Sequence, residues 1–442
     1  MKYLVLFLCS LCMLSQNISA QKKQSLSLDE SKAEWFKEAK FGMFLHWGLY
    51  SVLEGSYNGH TMPDTTMPQG NSWYAEWIKA RLDIPATEYR KIKDRFNPTR
   101  YNAEQWVKEA KNAGIRYIVI TAKHHDGFAL WDSKVSDFDI KNTPYKKDLL
   151  KPLVDACKKY GLKYGFYYSH WQDWEHPCGA VPDWKTQRTS EEFEKYWQEK
   201  CLPQVKELLV NYDPDLLWFD TWGGESQNIT PERRDELIAL VRSNSSKCLI
   251  NGRISYDNPG ENIDFLEMMD NAYPSEILSK PWQTPATMQE SWGYHATDYN
   301  WKSANTMLGY LVYNTSKGGN YLLNIGPKAD GTFPVPSIRR LREMGAWLFA
   351  NGEAVYGTKH IDVQTPSNVY LSQKTEKGNK FIYIFMTKAT DAVVLPIKGV
   401  KQCCVLETGQ PVEYQVQDNQ TRFQIPENLF QDSSIQVLKV KL

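Results

Sequence analysis

Cysteine is scarce in this chain, at 8 of 442 residues. Beyond residue 20 the six that remain are Cys157, Cys178, Cys201, Cys248, Cys403 and Cys404, and no two of them have CxxC spacing. That spread excludes a zinc ribbon and a disulfide-stapled scaffold. One bridge, for instance between Cys178 and Cys201, stays open, and several buried thiols are the plainer reading. Charge of one sign is also lacking. Lysine plus arginine equals aspartate plus glutamate, 52 against 52, so no global field draws in nucleic acid or an anionic membrane. After the first residues no apolar run approaches the roughly 20 needed to span a bilayer. There is no HExxH or HxH metal spacing, no internal repeat and no low-complexity tract.

The N-terminus reads Met1, Lys2, an apolar run over residues 3–14, then small and polar residues up to Ala20. This is the pattern of a secretory signal, residues 1–20, cleaved after Ala20, so an exported protein, periplasmic or secreted, is expected. Residues 31–356 alternate short apolar runs with longer amphipathic stretches, the rhythm of βα units. Strands are expected at 42–46, 117–121, 163–168, 216–219, 248–251, 287–291 and 321–324, and helices at 103–113, 148–160, 190–211, 231–243 and 336–351. Seven or eight such units make an α/β fold, a (β/α)8-like TIM barrel over residues 21–356. Residues 357–442 switch to short alternating strands without helices and read as a C-terminal antiparallel β-sandwich. The Gly-, Pro-, Met- and Thr-rich stretch 52–71 reads as a long loop over the barrel mouth.

In such a barrel the active site is built at the C-terminal ends of the strands, because those ends converge on one opening. Five expected strands run into chemistry-bearing residues there. The first ends in His46 and Trp47, the second in Lys123, His124, His125 and Asp126, the third in Ser169, His170 and Trp171. The fourth ends in Asp220, and the fifth leads into Arg253. A single strand-end histidine is ordinarily a structural residue, and a single aspartate is ordinarily the cap of the next helix. Caps, however, need no arginine, no histidine pair and no indoles beside them, so the convergence marks an active site. Asp220 closes the apolar run Leu216, Leu217, Trp218, Phe219, and a carboxylate placed there needs a cleft or a partner. It suits a nucleophile attacking an anomeric carbon, with a second carboxyl acting as acid and then base.

Several blocks carry a family resemblance: KFGMFLHWGLYSV at residues 40–52, Glu76 with Trp77, TAKHHDGFALWDS at 121–133, YYS at 167–169, LLWFD ending at Asp220, NGR at 251–253, SWGY at 291–294 and GGNYLLNIGPKADG at 318–331. In order and spacing they resemble the α-L-fucosidases of glycoside hydrolase family 29. The resemblance implies a retaining exo-glycosidase that releases α-linked L-fucose by double displacement, with Asp220 as nucleophile and neither metal nor cofactor. It implies that His46, Glu76, His124, His125, Tyr168 (with Tyr167 the alternative) and Arg253 bind the sugar or the nucleophile. Trp77, Trp218 and Trp292 would line its methyl-bearing side. The expected partner is a fucosylated oligosaccharide or glycoconjugate.

One position departs from that pattern. The family's stretch before SWGY opens with Trp-Glu, whose glutamate is the general acid/base, whereas this chain has Trp282 and Gln283. A glutamine cannot protonate a leaving oxygen, and a positioned acid/base contributes about 10²–10⁴-fold. Three readings follow. Another carboxyl takes the role, Glu290, Glu267 or Glu76; or position 283 carries an engineered replacement; or the protein is a catalytically impaired fucose- or glycan-binding relative. A rival from another class, a metal-dependent hydrolase using His46, His124, His125 and Asp126, requires the second strand to end before the histidine pair.

Overall fold

The structure is a computed structural model, and it describes residues 30–442 apart from 224–227 and 431–434. The expected signal at 1–20 lies outside the described residues. Eight parallel strands form one sheet: β1 (Phe41–Leu45), β2 (Tyr117–Lys123), β3 (Lys163–Tyr168), β4 (Leu216–Phe219), β5 (Leu249–Ile250), β6 (Leu266–Glu267), β7 (Trp282–Thr287) and β8 (Asn320–Ile325). Their order is β5-β4-β3-β2-β1-β8-β7-β6. The two ends meet, because Asp264 N donates to Ile250 O and Gly252 N to Phe265 O, both at 2.8 Å, beside a parallel bridge between Asn251 and Phe265. The sheet is therefore a closed (β/α)8 barrel, and β5 and β6, two residues each, form its seam.

Strand alternation sorts the side chains into two cores. Phe41, Met43 and Leu45 of β1 point outward to the helices, which include α1 (Ala103–Asn112), α2 (Leu150–Tyr160), α3 (Leu202–Tyr212), α4 (Pro231–Asn244), α5 (Ala304–Ser316) and α6 (Val335–Asn351). Phe44 points inward and meets Tyr117, Tyr167, Trp218, Leu249 and Leu322 in the barrel interior. Gly42 faces the same way, and a Cβ there would lie 2.3 Å from the Tyr117 ring. Phe36, on the short helix before β1, closes the barrel floor with its ring 4.5 Å from that of Phe265.

Two expected elements differ in a way that matters for the site. The seventh strand is Trp282–Thr287 rather than 287–291, so Gln283 belongs to a strand and Glu290 lies beyond its end. The sixth strand, Leu266–Glu267, falls where no strand was expected, and helix α5 is a helix between strands for which no bounds were expected. The helix expected over 190–211 is continuous but carries a π turn at Trp197–Cys201, next to Pro203, which has no N–H to give to residue 199.

From Val369 onward the chain forms two antiparallel sheets. One contains β9 (Val369–Glu376), β10 (Asn379–Met386), β12 (Gln402–Val405) and β15 (Gln436–Lys441); the other contains β11 (Ala392–Leu395), β13 (Tyr414–Gln417) and β14 (Gln420–Gln424). Ile382, Ile384, Leu438 and Val440 fill the core between them. Tyr383, Phe385 and Val437, on the other face of the same strands, join the barrel's outer core. The Trp347 indole of α6 donates to Ile435 O at 3.0 Å across that contact. All six cysteines in the described residues are free thiols.

Candidate active site

A cavity of about 410 Å³ opens at the C-terminal mouth of the barrel. Strands β1 to β7, or the loops after them, each contribute to its lining. Among the residues expected at the site, His46, Glu76, Trp77, His124, His125, Trp218, Asp220, Arg253 and Trp292 all line it. Tyr168 does not. Its hydroxyl donates to Gln204 Oε1 of α3 at 2.9 Å, on the outside of the sheet. Successive residues of a strand face opposite ways, so Tyr167 takes the inward place.

Asp220 sits directly after β4, buried, with both carboxylate oxygens engaged. Tyr167 donates its hydroxyl to Oδ2 at 2.8 Å, and Arg253 donates Nη1 to Oδ1 at 3.1 Å. Burial pushes the Asp220 pKa up to about 6, against the downward pull of Arg253 and Tyr167. Asn251 sets the geometry of this pair. Its side chain accepts from Phe219 N at 2.8 Å and donates to Phe219 O at 2.9 Å, standing in for a sheet ladder where β5 has run out. The chain then makes a 3₁₀ turn, Gly252–Ile254, that delivers Arg253. The guanidinium packs on the Trp218 ring at 5.1 Å, and Trp218 stacks on Tyr167.

Strand β2 ends at Lys123 after a register shift against β3, so His124 and His125 lie beyond the pleat. Both therefore reach the same cavity, with ring centroids 4.2 Å apart. His46 is fixed by Asn324, whose amide nitrogen is committed to Trp292 O at 2.7 Å; its oxygen faces His46 Nδ1 at 2.7 Å and must accept. Burial pushes His46 down to about 3 and holds His124 and His125 well below the usual imidazole range, so all three rings are neutral. No grouping of three or more His, Cys, Asp or Glu with metal-holding geometry occurs among the described residues.

The long segment after β1 supplies Tyr74, Glu76, Trp77 and Arg81 to the cavity. Glu76 is 1% exposed; its Oε2 accepts from Gly293 N at 2.8 Å, and its buried Oε1 has no protein partner. Burial pushes its pKa up to about 7. A Cβ at position 293 would lie about 3 Å from the Tyr50 ring and from Glu76 N, so the backbone can reach Glu76 only as glycine.

The expectations for a second carboxyl change most. Gln283 lies at the first turn of β7, opposite Asn320 at the start of β8, and so at the barrel floor. It accepts from the Tyr117 hydroxyl at 2.6 Å and donates to Glu267, and it does not line the cavity. Glu267 is buried in that same layer, below the cavity. Glu290 is exposed past the end of β7 and is not among the residues that line the cavity. Asp270, on the loop after β6, does line the mouth and was not expected. Arg253 Nη2 donates to its Oδ1 at 2.7 Å, and 36% of its side chain is exposed. Asp183 and Trp184, from the loop after β3, and Trp222, beyond β4, complete the rim.

The model of the family described as alpha-L-fucosidase matches residues 9–353. The chain belongs to the α-L-fucosidase family, glycoside hydrolase family 29. Among its relatives, human plasma alpha-L-fucosidase is 32% identical over 400 residues, covering 86% of this chain and 82% of that one. A family 29 α-L-fucosidase from Bacteroides thetaiotaomicron, trapped as a covalent intermediate in complex with 2-fluoro-fucosyl fluoride, superposes with a TM-score of 0.82 at 26% identity, over 93% of this chain and 95% of that one. The Thermotoga maritima α-fucosidase in complex with fucose gives a TM-score of 0.74 at 28% identity, over 92% of this chain and 96% of that one. As in those α-L-fucosidases, a glycoside hydrolase fold here carries the catalytic chemistry.

Proposed function

We propose that this glycoside hydrolase releases α-linked L-fucose with retention of configuration, Asp220 attacking the anomeric carbon and Asp270 serving as acid and then base. The observation that carries the reading is that one guanidinium, Arg253, grips both carboxylates through separate nitrogens. Two carboxyls that share one guanidinium face the same small space, as the pair of a retaining glycosidase does. Arg253 and Tyr167 keep Asp220 ionised and aimed, while Asp270, at the open rim, is where a leaving group would meet solvent. Asp270, protonated from solvent at the rim and released from Arg253, gives that proton to the glycosidic oxygen as the bond from that oxygen to the anomeric carbon breaks and the Asp220–sugar ester forms. Asp270 then takes a proton from the water that breaks the ester. The covalent intermediate trapped in the Bacteroides relative supports double displacement.

Glu76 supports a second assignment of the acid, since its pKa is raised to about 7 and one oxygen is unpartnered. Its depth favours a different task, accepting a hydroxyl hydrogen of the bound sugar. The glycan-binding alternative rested on Gln283, which lies at the barrel floor and has no part in the cavity. Azide rescue separates the roles. With an aryl α-L-fucoside, Asp220→Gly and azide should give the β-fucosyl azide, and Asp270→Ala and azide the α-fucosyl azide. If Glu76→Ala yields the α-azide instead, the acid assignment moves to Glu76. Export of the protein, proposed from its first twenty residues, is tested by N-terminal sequencing of the mature chain.

A further inference from the structure

Ser169, directly after β3 and fully buried, has no hydrogen-bonding freedom left. Its Oγ lies 2.6 Å from the carbonyl oxygen of Gln172 and 2.6 Å from Nδ1 of His125. A carbonyl cannot donate, and two oxygens this close without a hydrogen between them would oppose lone pair to lone pair. The single hydroxyl hydrogen therefore points at Gln172, and Ser169 can only accept from His125. Nδ1 of His125 must carry the hydrogen. In a neutral imidazole the other nitrogen, Nε2, is then an acceptor.

That acceptor points at another. Nε2 of His125 lies 3.6 Å from Oδ2 of Asp220, which accepts from the Tyr167 hydroxyl, and is too far from it for a direct hydrogen bond. The gap is matched by a donor from the ligand. When Asp220 attacks an anomeric carbon, that carbon has two ring neighbours, the ring oxygen, which carries no hydrogen, and C2. The group that reaches Nε2 is thus the 2-hydroxyl.

We infer that Ser169 is a positioning residue, fixing the tautomer of His125 so that Nε2 accepts the hydrogen of the sugar's 2-hydroxyl. The site thereby selects glycosides whose 2-position is an unsubstituted hydroxyl. This rests on the reading of Asp220 as nucleophile and adds to it a requirement on the substrate. A 2-hydroxyl contact can tighten as charge develops at the neighbouring carbon, which places part of its effect in the transition state.

The test compares kcat/KM for an aryl α-L-fucoside and its 2-deoxy counterpart in wild type, Ser169→Ala and Ser169→Thr. The ratio of the two substrates cancels their intrinsic reactivities. Ser169→Ala should lower the fucoside relative to the 2-deoxy substrate by about tenfold, the worth of one such hydrogen bond. Ser169→Thr, which keeps the hydroxyl, should restore the ratio. A merely structural role would lower both substrates in parallel and overturn the inference. ¹⁵N spectra of histidine-labelled wild-type protein give an independent reading, and a neutral His125 protonated on Nε2 would equally overturn it. Aryl fucoside turnover surviving in Asp220→Ala would instead remove the nucleophile reading beneath it.

Discussion

The Tyr167 hydroxyl donates to Oδ2 of Asp220 at 2.8 Å, from a ring that stacks between Trp218 and His124. This hydrogen bond favours the ionised carboxylate that the proposed nucleophilic attack requires. Tyr167→Phe should therefore raise the Asp220 pKa above its value of about 6. The acidic limb of kcat/KM should move to higher pH, and the plateau should fall by about 10–100-fold. A pH–rate profile of the variant checks both. Tyr168→Phe is the contrast. It leaves Gln204 Oε1 short of its donor, at a cost of about 1–2 kcal/mol in denaturant unfolding, with the acidic limb in place.

The same carboxylate sets a stability cost. Its folded pKa, about 6, lies above its ordinary value of 3.8, so between those values the native state binds more protons than the unfolded chain. Stability from this group is fully present below about pH 4 and is lost as pH rises through 6. Asp220→Asn should thus raise Tm at pH 8, through a stability gain on the order of 3 kcal/mol. The gain should vanish near pH 4. Thermal unfolding at the two pH values decides it, and equal Tm changes at both would refute the linkage.

Gln283→Glu installs the glutamate that the family resemblance implies, but at the barrel floor beside Glu267, which burial holds well above the usual carboxylate range. Two carboxyls in that contact must share a proton. Turnover on an unactivated fucosylated oligosaccharide should show no gain. Tm should fall relative to wild type, more at pH 8 than at pH 5. A rise in oligosaccharide turnover would return position 283 to the catalytic machinery.

Glu290→Gln changes an exposed side chain beyond β7, so kcat/KM should stay within about twofold of wild type for both aryl and oligosaccharide substrates. A loss confined to poor leaving groups would identify it as the acid after all.

Much of this site is written in the chain in a form that strand logic can read. Asp220 ends an apolar run and His46 ends another, so their place at the mouth follows from where barrel strands stop. Tyr167 and Tyr168 show the limit. Alternation says that they face opposite ways, but only the packing of α3 against β3 says which is inside. Asp270 was hidden for a different reason. It follows Leu266–Glu267, a strand of two residues with no alternating pattern, held by closure of the barrel rather than by β-propensity. The run Trp282–Thr287 contains Pro285 and polar residues, so the apparent strand slides towards 287–291; only the family resemblance sets Gln283 beside the chemistry, and the fold keeps it at the floor.

The shortness of β5 and β6 has a thermal consequence. Arg253 leaves the barrel from one side of that seam and Asp270 from the other, so the two halves of the proposed catalytic clamp hang from the least-zipped stretch of the wall. Warming should loosen this join while the six better-paired strands still hold. The enzyme would then fall silent at temperatures where spectroscopy still reports a folded protein, and would regain its activity on cooling.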